Sequence, residues 1–118
     1  MVKVGLLVLT DTESHADMGR VSNALMIAKE FKESGDEVKI IFDGAGSKWV
    51  AKLTDKENPL NPLYNTVQDK VEGVCSYCTG AFDVEESVET SEVERLDDYQ
   101  GHPSLRNLVA DGYQIITF

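Results

Sequence analysis

Two cysteines three residues apart are the residues of this chain best suited to chemistry. They lie in the segment Cys75-Ser76-Tyr77-Cys78, directly after a short apolar run. A thiol reacts as its thiolate, and the N–H groups and dipole of a helix N-terminus stabilise that anion. We therefore predict that Cys75 ends a strand, precedes a helix and has a lowered pKa. Cys78, one helical turn further on, is predicted to attack a mixed disulfide or persulfide formed on Cys75.

Three other interpretations of the cysteine pair have to be compared with this one. Free cysteine is among the most buried residue types, so both thiols can be inert core residues. Structural zinc needs four ligands, and only His15 and His102 are available to complete the set, so no metal site is predicted. A thioredoxin-like pair is disfavoured, because thioredoxins place their pair after an early strand and carry a proline-bearing strand opposite it. Here the pair lies late in the chain and no predicted strand contains proline.

The two histidines have different sequence contexts. His102 precedes Pro103 in a predicted loop and is expected to orient or deprotonate a thiol, or else to cap the following helix. His15 lies in an acidic loop, residues 11–17, that is expected to be exposed. Gly44-Ala45-Gly46 lacks the glycine spacing of a dinucleotide fingerprint and the lysine of a phosphate-binding loop, so it is interpreted as a turn and no cofactor is predicted.

The elements that must position these residues alternate between strand and helix patterns. Apolar or β-branched runs predict strands at residues 4–9, 38–42, 73–75, 93–96 and 114–118. Helices are predicted at 19–34, with Gly35 past its end, and at 47–53, 63–71, 84–92 and 103–110. This order predicts an α/β fold, a three-layer α/β/α sandwich with a mainly parallel five-stranded sheet. Reactive residues of such sheets lie beyond the carboxyl ends of the strands, where both cysteines and both histidines are expected.

Size and charge limit the possible functions. A chain of 118 residues is expected to form one domain, residues 1–118. Its 21 acidic and 11 basic residues give a net charge of -10, which disfavours nucleic-acid binding. The longest apolar run is too short to cross a membrane, and the first residues lack a signal-peptide pattern, so a cytoplasmic location is expected. Cysteines in that reducing compartment favour redox, sulfur-handling or metal-binding roles over a structural disulfide.

With these elements assigned, the chain resembles the DsrE/DsrF-like family of small sulfur-relay proteins, related to the TusBCD and YchN-type proteins. The resemblance is carried by the opening strand, the helix ending at Phe31 before Gly35, the second strand ending in Asp43-Gly44, the Val74-Cys75 pair and the closing Gly112-Tyr113 strand. It implies a persulfide on Cys75, sulfur donor and acceptor proteins as partners, and a homo-oligomer that covers side chains such as Trp49 and Tyr64. Cys78 departs from the family's single-cysteine pattern.

Three functional hypotheses follow. The leading one is an intracellular sulfur carrier, a sulfurtransferase-like protein with Cys75 as the sulfur-bearing thiol, Cys78 as a resolving thiol and His102 as a catalytic neighbour. The second is a dithiol–disulfide oxidoreductase or redox sensor that uses a Cys75–Cys78 disulfide. The third is a non-enzymatic oligomeric binding module whose cysteines are inert.

Overall fold

Five parallel strands form the central sheet of the structure, a computed structural model that describes residues 1–118. They run in the order β4-β3-β2-β1-β5, and every neighbouring pair is parallel. The strands are β1 (Lys3–Val8), β2 (Glu37–Phe42), β3 (Val71–Cys75), β4 (Arg95–Leu96) and β5 (Gln114–Thr117). The predicted five-stranded α/β fold is confirmed, and the sheet is parallel throughout rather than mainly so.

Six α-helices and two short 3-10 helices connect the strands. The α-helices are α1 (His15–Glu33), α2 (Trp49–Thr54), α3 (Asn61–Val67), α4 (Ser76–Ala81), α5 (Glu85–Ser91) and α6 (Leu105–Ala110). The 3-10 helices are Gly44–Lys48 and Gln68–Lys70. The segment Gly44-Ala45-Gly46, predicted as a simple turn, therefore begins a 3-10 helix. None of the helices is long and apolar enough to span a membrane.

Helix α1 begins at His15, before its predicted start at Gly19, because Ser14 forms a capping box. The Ser14 hydroxyl accepts a hydrogen bond from the Asp17 backbone N–H at 3.1 Å, and the Asp17 carboxylate accepts one from the Ser14 N–H at 3.2 Å. Two otherwise unpaired N–H groups are thereby satisfied. His15 is consequently the first residue of a helix rather than part of a loop, although its exposure is as predicted.

The sheet is covered on both faces, but unequally. Alternate residues of β1 and β2, such as Leu6 and Phe42, join the main core with α1, α2, α3 and α5. The intervening residues Leu7 and Ile41 are also buried, on the face where Leu108 of α6 packs. Burial on both faces explains the continuous apolar run in β1 and the Ile40-Ile41-Phe42 run that ends β2. The predicted three-layer sandwich is thus built from four helices on one face and one short helix on the other.

Trp49 and Tyr64 lie inside this core, contrary to the expectation that subunit contacts would cover them. Their exposed fractions are 4% and 3%. The Trp49 indole N–H donates a hydrogen bond to the Asp11 carbonyl at 3.0 Å, so its polar atom is satisfied within the chain. Neither side chain therefore needs a second subunit to remove it from water.

Two close backbone approaches shape the end of the sheet that carries the cysteines. A Cβ added to Gly46 would collide with the Val8 carbonyl, so the 3-10 helix after β2 lies directly against the end of β1. A Cβ added to Gly73 would collide with the Glu94 carbonyl, so the short edge strand β4 packs tightly on β3. Both positions need glycine because a neighbouring backbone occupies the space of a side chain.

Candidate thiol site

Cys75 lies at the junction between β3 and α4, as predicted. It is the last residue of the strand and the N-cap of the helix, and its side chain is fully buried. The Cys75 sulfur accepts a hydrogen bond from the Cys78 backbone N–H at 3.4 Å. The sulfur thus occupies the position that a serine or aspartate oxygen takes at other helix N-termini.

His102 reaches Cys75 through a tight turn, residues 99–102, which we call the His102 turn. Tyr99 and His102 exchange backbone hydrogen bonds of 2.8 and 2.9 Å, and the central residues Gln100 and Gly101 have φ values of 48° and 85°. Positive φ at both central positions is the requirement of a type I′ turn. The Gly101 carbonyl accepts a hydrogen bond of 2.8 Å from the Tyr77 backbone N–H, which ties the turn to α4.

The His102 ring is in direct contact with the Cys75 thiol. The Nδ1 atom of His102 lies 3.3 Å from the Cys75 sulfur, and the Tyr77 ring packs against the imidazole with centroids 4.9 Å apart. The alternative interpretation, that His102 caps the following helix, is wrong. Ser104 performs that task, its hydroxyl accepting a hydrogen bond from the Asn107 N–H at 3.2 Å.

Cys78 has a partner that sequence reasoning missed. Its thiol donates a hydrogen bond to Asp43 Oδ1 at 3.3 Å, and the same oxygen accepts the Gly44 backbone N–H at 2.8 Å. The Asp43-Gly44 pair at the end of β2 is at the predicted edge of the sheet, but its composition indicates only a turn. The signal that could have identified Asp43 is its position at the carboxyl end of the strand beside β3.

The pKa values of both thiols are raised, and for Cys75 this contradicts the predicted lowering. Burial is the main cause for Cys75, whose pKa rises to about 12; the Cys78 thiol and the Asp43 carboxylate add to it, while the Cys78 N–H opposes it. Burial is also the main reason that the pKa of Cys78 is raised, and its hydrogen bond to Asp43 contributes. The six-residue α4 offers the sulfur one N–H bond, which does not offset the loss of water.

Asp43, Cys75, Cys78 and His102 form one compact cluster at the carboxyl ends of β2 and β3. One potential ligand atom from each residue lies within 4.8 Å of those of the other three. His15, at the exposed start of α1, is outside the cluster. Tyr77, 61% exposed, lies at its rim, whereas Trp49 is in the core. The cluster combines a thiol–imidazole contact, a thiol–carboxylate contact and two free thiols within one site.

Comparisons with known proteins extend over almost the whole chain. The chain is 34% identical over 104 residues to the uncharacterized protein MJ0733 of Methanocaldococcus jannaschii, an alignment that covers 88% of this chain and 84% of that protein. Its fold matches a solved structure from Bacteroides thetaiotaomicron, the conserved protein of unknown function BT1422, with a TM-score of 0.64 and 20% identity over 97% of this chain and 94% of that one. The sequence model of the DsrE/DsrF-like family matches residues 5–118, and the chain belongs to that family.

Proposed function

We propose that this protein is a sulfur carrier that holds sulfane sulfur as a persulfide on Cys75. Membership of the DsrE/DsrF-like family suggests a sulfur-relay-like role. The observation that carries the specific proposal is the 3.3 Å contact between the Cys75 sulfur and His102 Nδ1 at the end of β3. A buried thiol with a raised pKa needs a nearby base to react at neutral pH, and His102 is the base in contact with it.

Loading of Cys75 begins with loss of its proton. With His102 in the tautomer that carries its proton on Nε2, Nδ1 accepts the Cys75 proton. The thiolate attacks the outer sulfur of a donor persulfide. The S–S bond of the donor breaks, a new S–S bond forms on Cys75, and the donor leaves as a thiolate that takes up a proton. The sulfur–sulfur bond is exchanged and no external oxidant is needed.

Release of the sulfur can follow two routes that the geometry supports. The thiolate of an acceptor protein can attack the outer sulfur of the Cys75 persulfide, which restores the Cys75 thiol. Alternatively, Cys78 gives its proton to Asp43, its hydrogen-bond partner at 3.3 Å, and attacks the inner sulfur. The second route forms a Cys75–Cys78 disulfide and expels hydrosulfide, so a thiol reductant must then reduce the disulfide.

Access to Cys75 requires the His102 turn to move, because the sulfur is fully buried. The turn is held to α4 by the Tyr77–Gly101 backbone hydrogen bond and by the packing of Tyr77 on His102. These are few contacts, and opening them exposes the thiol without disturbing the sheet. We further propose that protein donors and acceptors dock at this rim and that the protein works as a homo-oligomer in a reducing cytoplasm.

Sulfur loading is tested by incubating the reduced, chelator-treated protein with glutathione persulfide and identifying modified peptides by mass spectrometry. The expected result is an increment of one sulfur atom on Cys75 in the wild type and in Cys78→Ser, and none in Cys75→Ser. Loading that is lost in Cys78→Ser but kept in Cys75→Ser would reverse the assignment of the two thiols. No loading of either cysteine would overturn the proposal.

A second candidate function is favoured by the proximity of the two thiols, whose sulfur atoms lie within 4.8 Å. A disulfide needs the two sulfur atoms about 2.05 Å apart, and rotation of both side chains toward each other would form one, which supports a dithiol–disulfide oxidoreductase or redox sensor. The reduction potential of the pair tests it. A value near the cytosolic thiol poise would fit a working redox couple, whereas a value far below it would fit neither a switch nor a catalyst.

A further inference from the structure

We propose that Asp43, Cys75, Cys78 and His102 form a binding site for a zinc ion. The inference uses two thiols of the proposed sulfur carrier but does not depend on sulfur transfer. Its basis is the convergence of four metal-binding side chains, with one potential ligand atom from each within 4.8 Å of the others. They come from the end of β2, the end of β3, the first turn of α4 and the His102 turn.

The spacing of these atoms suits tetrahedral coordination. Zinc bonds of about 2.3 Å to sulfur and about 2.0–2.1 Å to nitrogen or oxygen place tetrahedral ligands about 3.3–3.8 Å apart. The Cys75–His102 and Cys78–Asp43 contacts are both 3.3 Å, at the short end of this range. Because no pair exceeds 4.8 Å, small side-chain movements bring all four atoms to zinc distance.

The donor types also select the metal. Thiolate and imidazole are the usual ligand types of structural zinc sites, and a carboxylate oxygen is also an accepted zinc ligand. Magnesium and calcium prefer sets made only of oxygen atoms, which this site does not offer. Zinc binding replaces the two thiol protons, which are released to solvent, and forms two Zn–S bonds with no change in oxidation state.

Contacts around the ligands hold them in place. The Cys78 N–H donates to the Cys75 sulfur, the Gly44 N–H donates to Asp43, and Tyr77 packs against the His102 ring. Such supporting contacts keep a site assembled before the ion arrives. Zinc bound here would link three separate chain segments and close the His102 turn over Cys75. It would also occupy both thiols, so zinc binding and persulfide loading would exclude each other.

Cobalt(II) titration of the reduced, chelator-treated protein tests the site, because tetrahedral cobalt with thiolate ligands absorbs characteristically. The expected result is one cobalt per chain, a sulfur-to-cobalt charge-transfer band, tetrahedral d–d bands, and displacement of cobalt by one equivalent of zinc. His102→Gln and Asp43→Asn should each weaken cobalt binding at least about tenfold. Replacing a residue that only supports a metal ligand already lowers metal affinity by about tenfold or more, and replacing a ligand itself should cost at least as much. His15→Gln and Asp97→Asn are matched controls outside the cluster and should bind as the wild type does.

Two further measurements test the site without removing a ligand, so they still apply if a variant that lacks one folds poorly. Asp43→His exchanges one zinc ligand for another and should retain the tetrahedral spectrum. In the wild type, one equivalent of zinc should block alkylation of both cysteines, and a chelator should restore it. Absence of the cobalt spectrum, or cobalt binding unchanged in both His102→Gln and Asp43→Asn, would overturn the proposal. Sulfur loading is measured on the chelator-treated, metal-free protein. Its result therefore tests the carrier function independently of whether the protein binds zinc.

Discussion

The imidazole Nδ1 of His102 lies 3.3 Å from the Cys75 sulfur, although 27 residues separate them in the sequence. Cys75 comes from the end of an interior strand, whereas His102 comes from a turn that follows the edge strand β4. The contact places an imidazole nitrogen, which accepts a proton in one tautomer, beside a buried thiol. The surroundings of the Cys75 sulfur therefore depend on how the His102 turn is folded.

Replacing His102 with glutamine should slow sulfur loading of Cys75. Glutamine retains a polar side chain but cannot accept the thiol proton as a base, and loss of a general base costs about 100-fold or more. The rate is measured by mass spectrometry of the Cys75 peptide after timed exposure to glutathione persulfide. His15→Gln makes the same chemical change at an exposed position and should load at the wild-type rate. Equal rates in His102→Gln and the wild type would show that His102 is not the base.

The alkylation rate of Cys75 should keep rising with pH well beyond the range of an ordinary thiol. Its pKa is raised to about 12, so the protonated form dominates at neutral pH. The rate should therefore increase about tenfold per pH unit, whereas a thiol of pKa about 8.5 would level off near pH 9. Timed iodoacetamide labelling of the metal-free protein, followed by peptide mass spectrometry, measures the profile.

The Asp43→Asn variant supplies the control for this pH profile. The Asp43 carboxylate raises the pKa of both thiols, so its neutralisation should shift both curves to lower pH. A plateau below pH 9 for Cys75 in the wild-type protein would contradict the assignment of a raised pKa.

Gln100→Asn should stabilise the His102 turn. Gln100 has a φ of 48°, and asparagine tolerates this left-handed conformation better than glutamine does. We expect a gain of about 0.5–1 kcal/mol in the free energy of unfolding, and slower alkylation of Cys75 because the turn opens less often. Urea unfolding and timed labelling measure the two effects. Gln68→Asn is the matched control, since Gln68 has a right-handed φ of -60° and should gain nothing.

Gly46→Ala should destabilise the fold and disturb the Asp43–Cys78 contact. The added Cβ would collide with the Val8 carbonyl and push the 3-10 helix away from β1, at a cost of about 1–3 kcal/mol. Urea unfolding measures the loss, and faster alkylation of Cys78 would report displacement of Asp43. Gly19→Ala, in helix α1 with no atom within 4 Å of the new Cβ, should instead stabilise by about 0.5–1 kcal/mol. Destabilisation of equal size in both variants would contradict the explanation by collision.

The strands and the place of the thiols were predictable because they depend on local patterns and one topological rule. The apolar runs of β1 and β2 mark strands buried on both faces, and a parallel sheet brings the segments after its strands to one edge. His102 and Cys75 were placed at that edge on this basis. The start of α1 was missed because the acidic partner of Ser14 in the capping box is Asp17, rather than the more usual glutamate or glutamine.

Asp43 and the direction of the cysteine pKa shifts were not predictable from the sequence. A hydrogen bond between Cys78 and a carboxylate 35 residues away exists only when β2 and β3 pair in the observed register. The burial of Cys75 likewise depends on the His102 turn lying across it, and burial outweighs the helix effect that a sequence pattern suggests. Local patterns placed the candidate residues at one edge of the sheet, but tertiary packing determined the direction in which the pKa values of the two thiols shift.

Strand β5 pairs with β1, so the sheet is complete only when residues 114–117 join residues 4–7. A ribosome makes both cysteines before it makes His102, and His102 before β5. During synthesis the thiols therefore spend an interval uncovered, when oxidants and stray metal ions can reach them. Because Cys75 and Cys78 are close in sequence, a disulfide formed in this interval would link neighbours and would not entangle the chain. The free thiols of the folded protein are therefore obtained only if the pair stays reduced, or is reduced again, before the fold covers it.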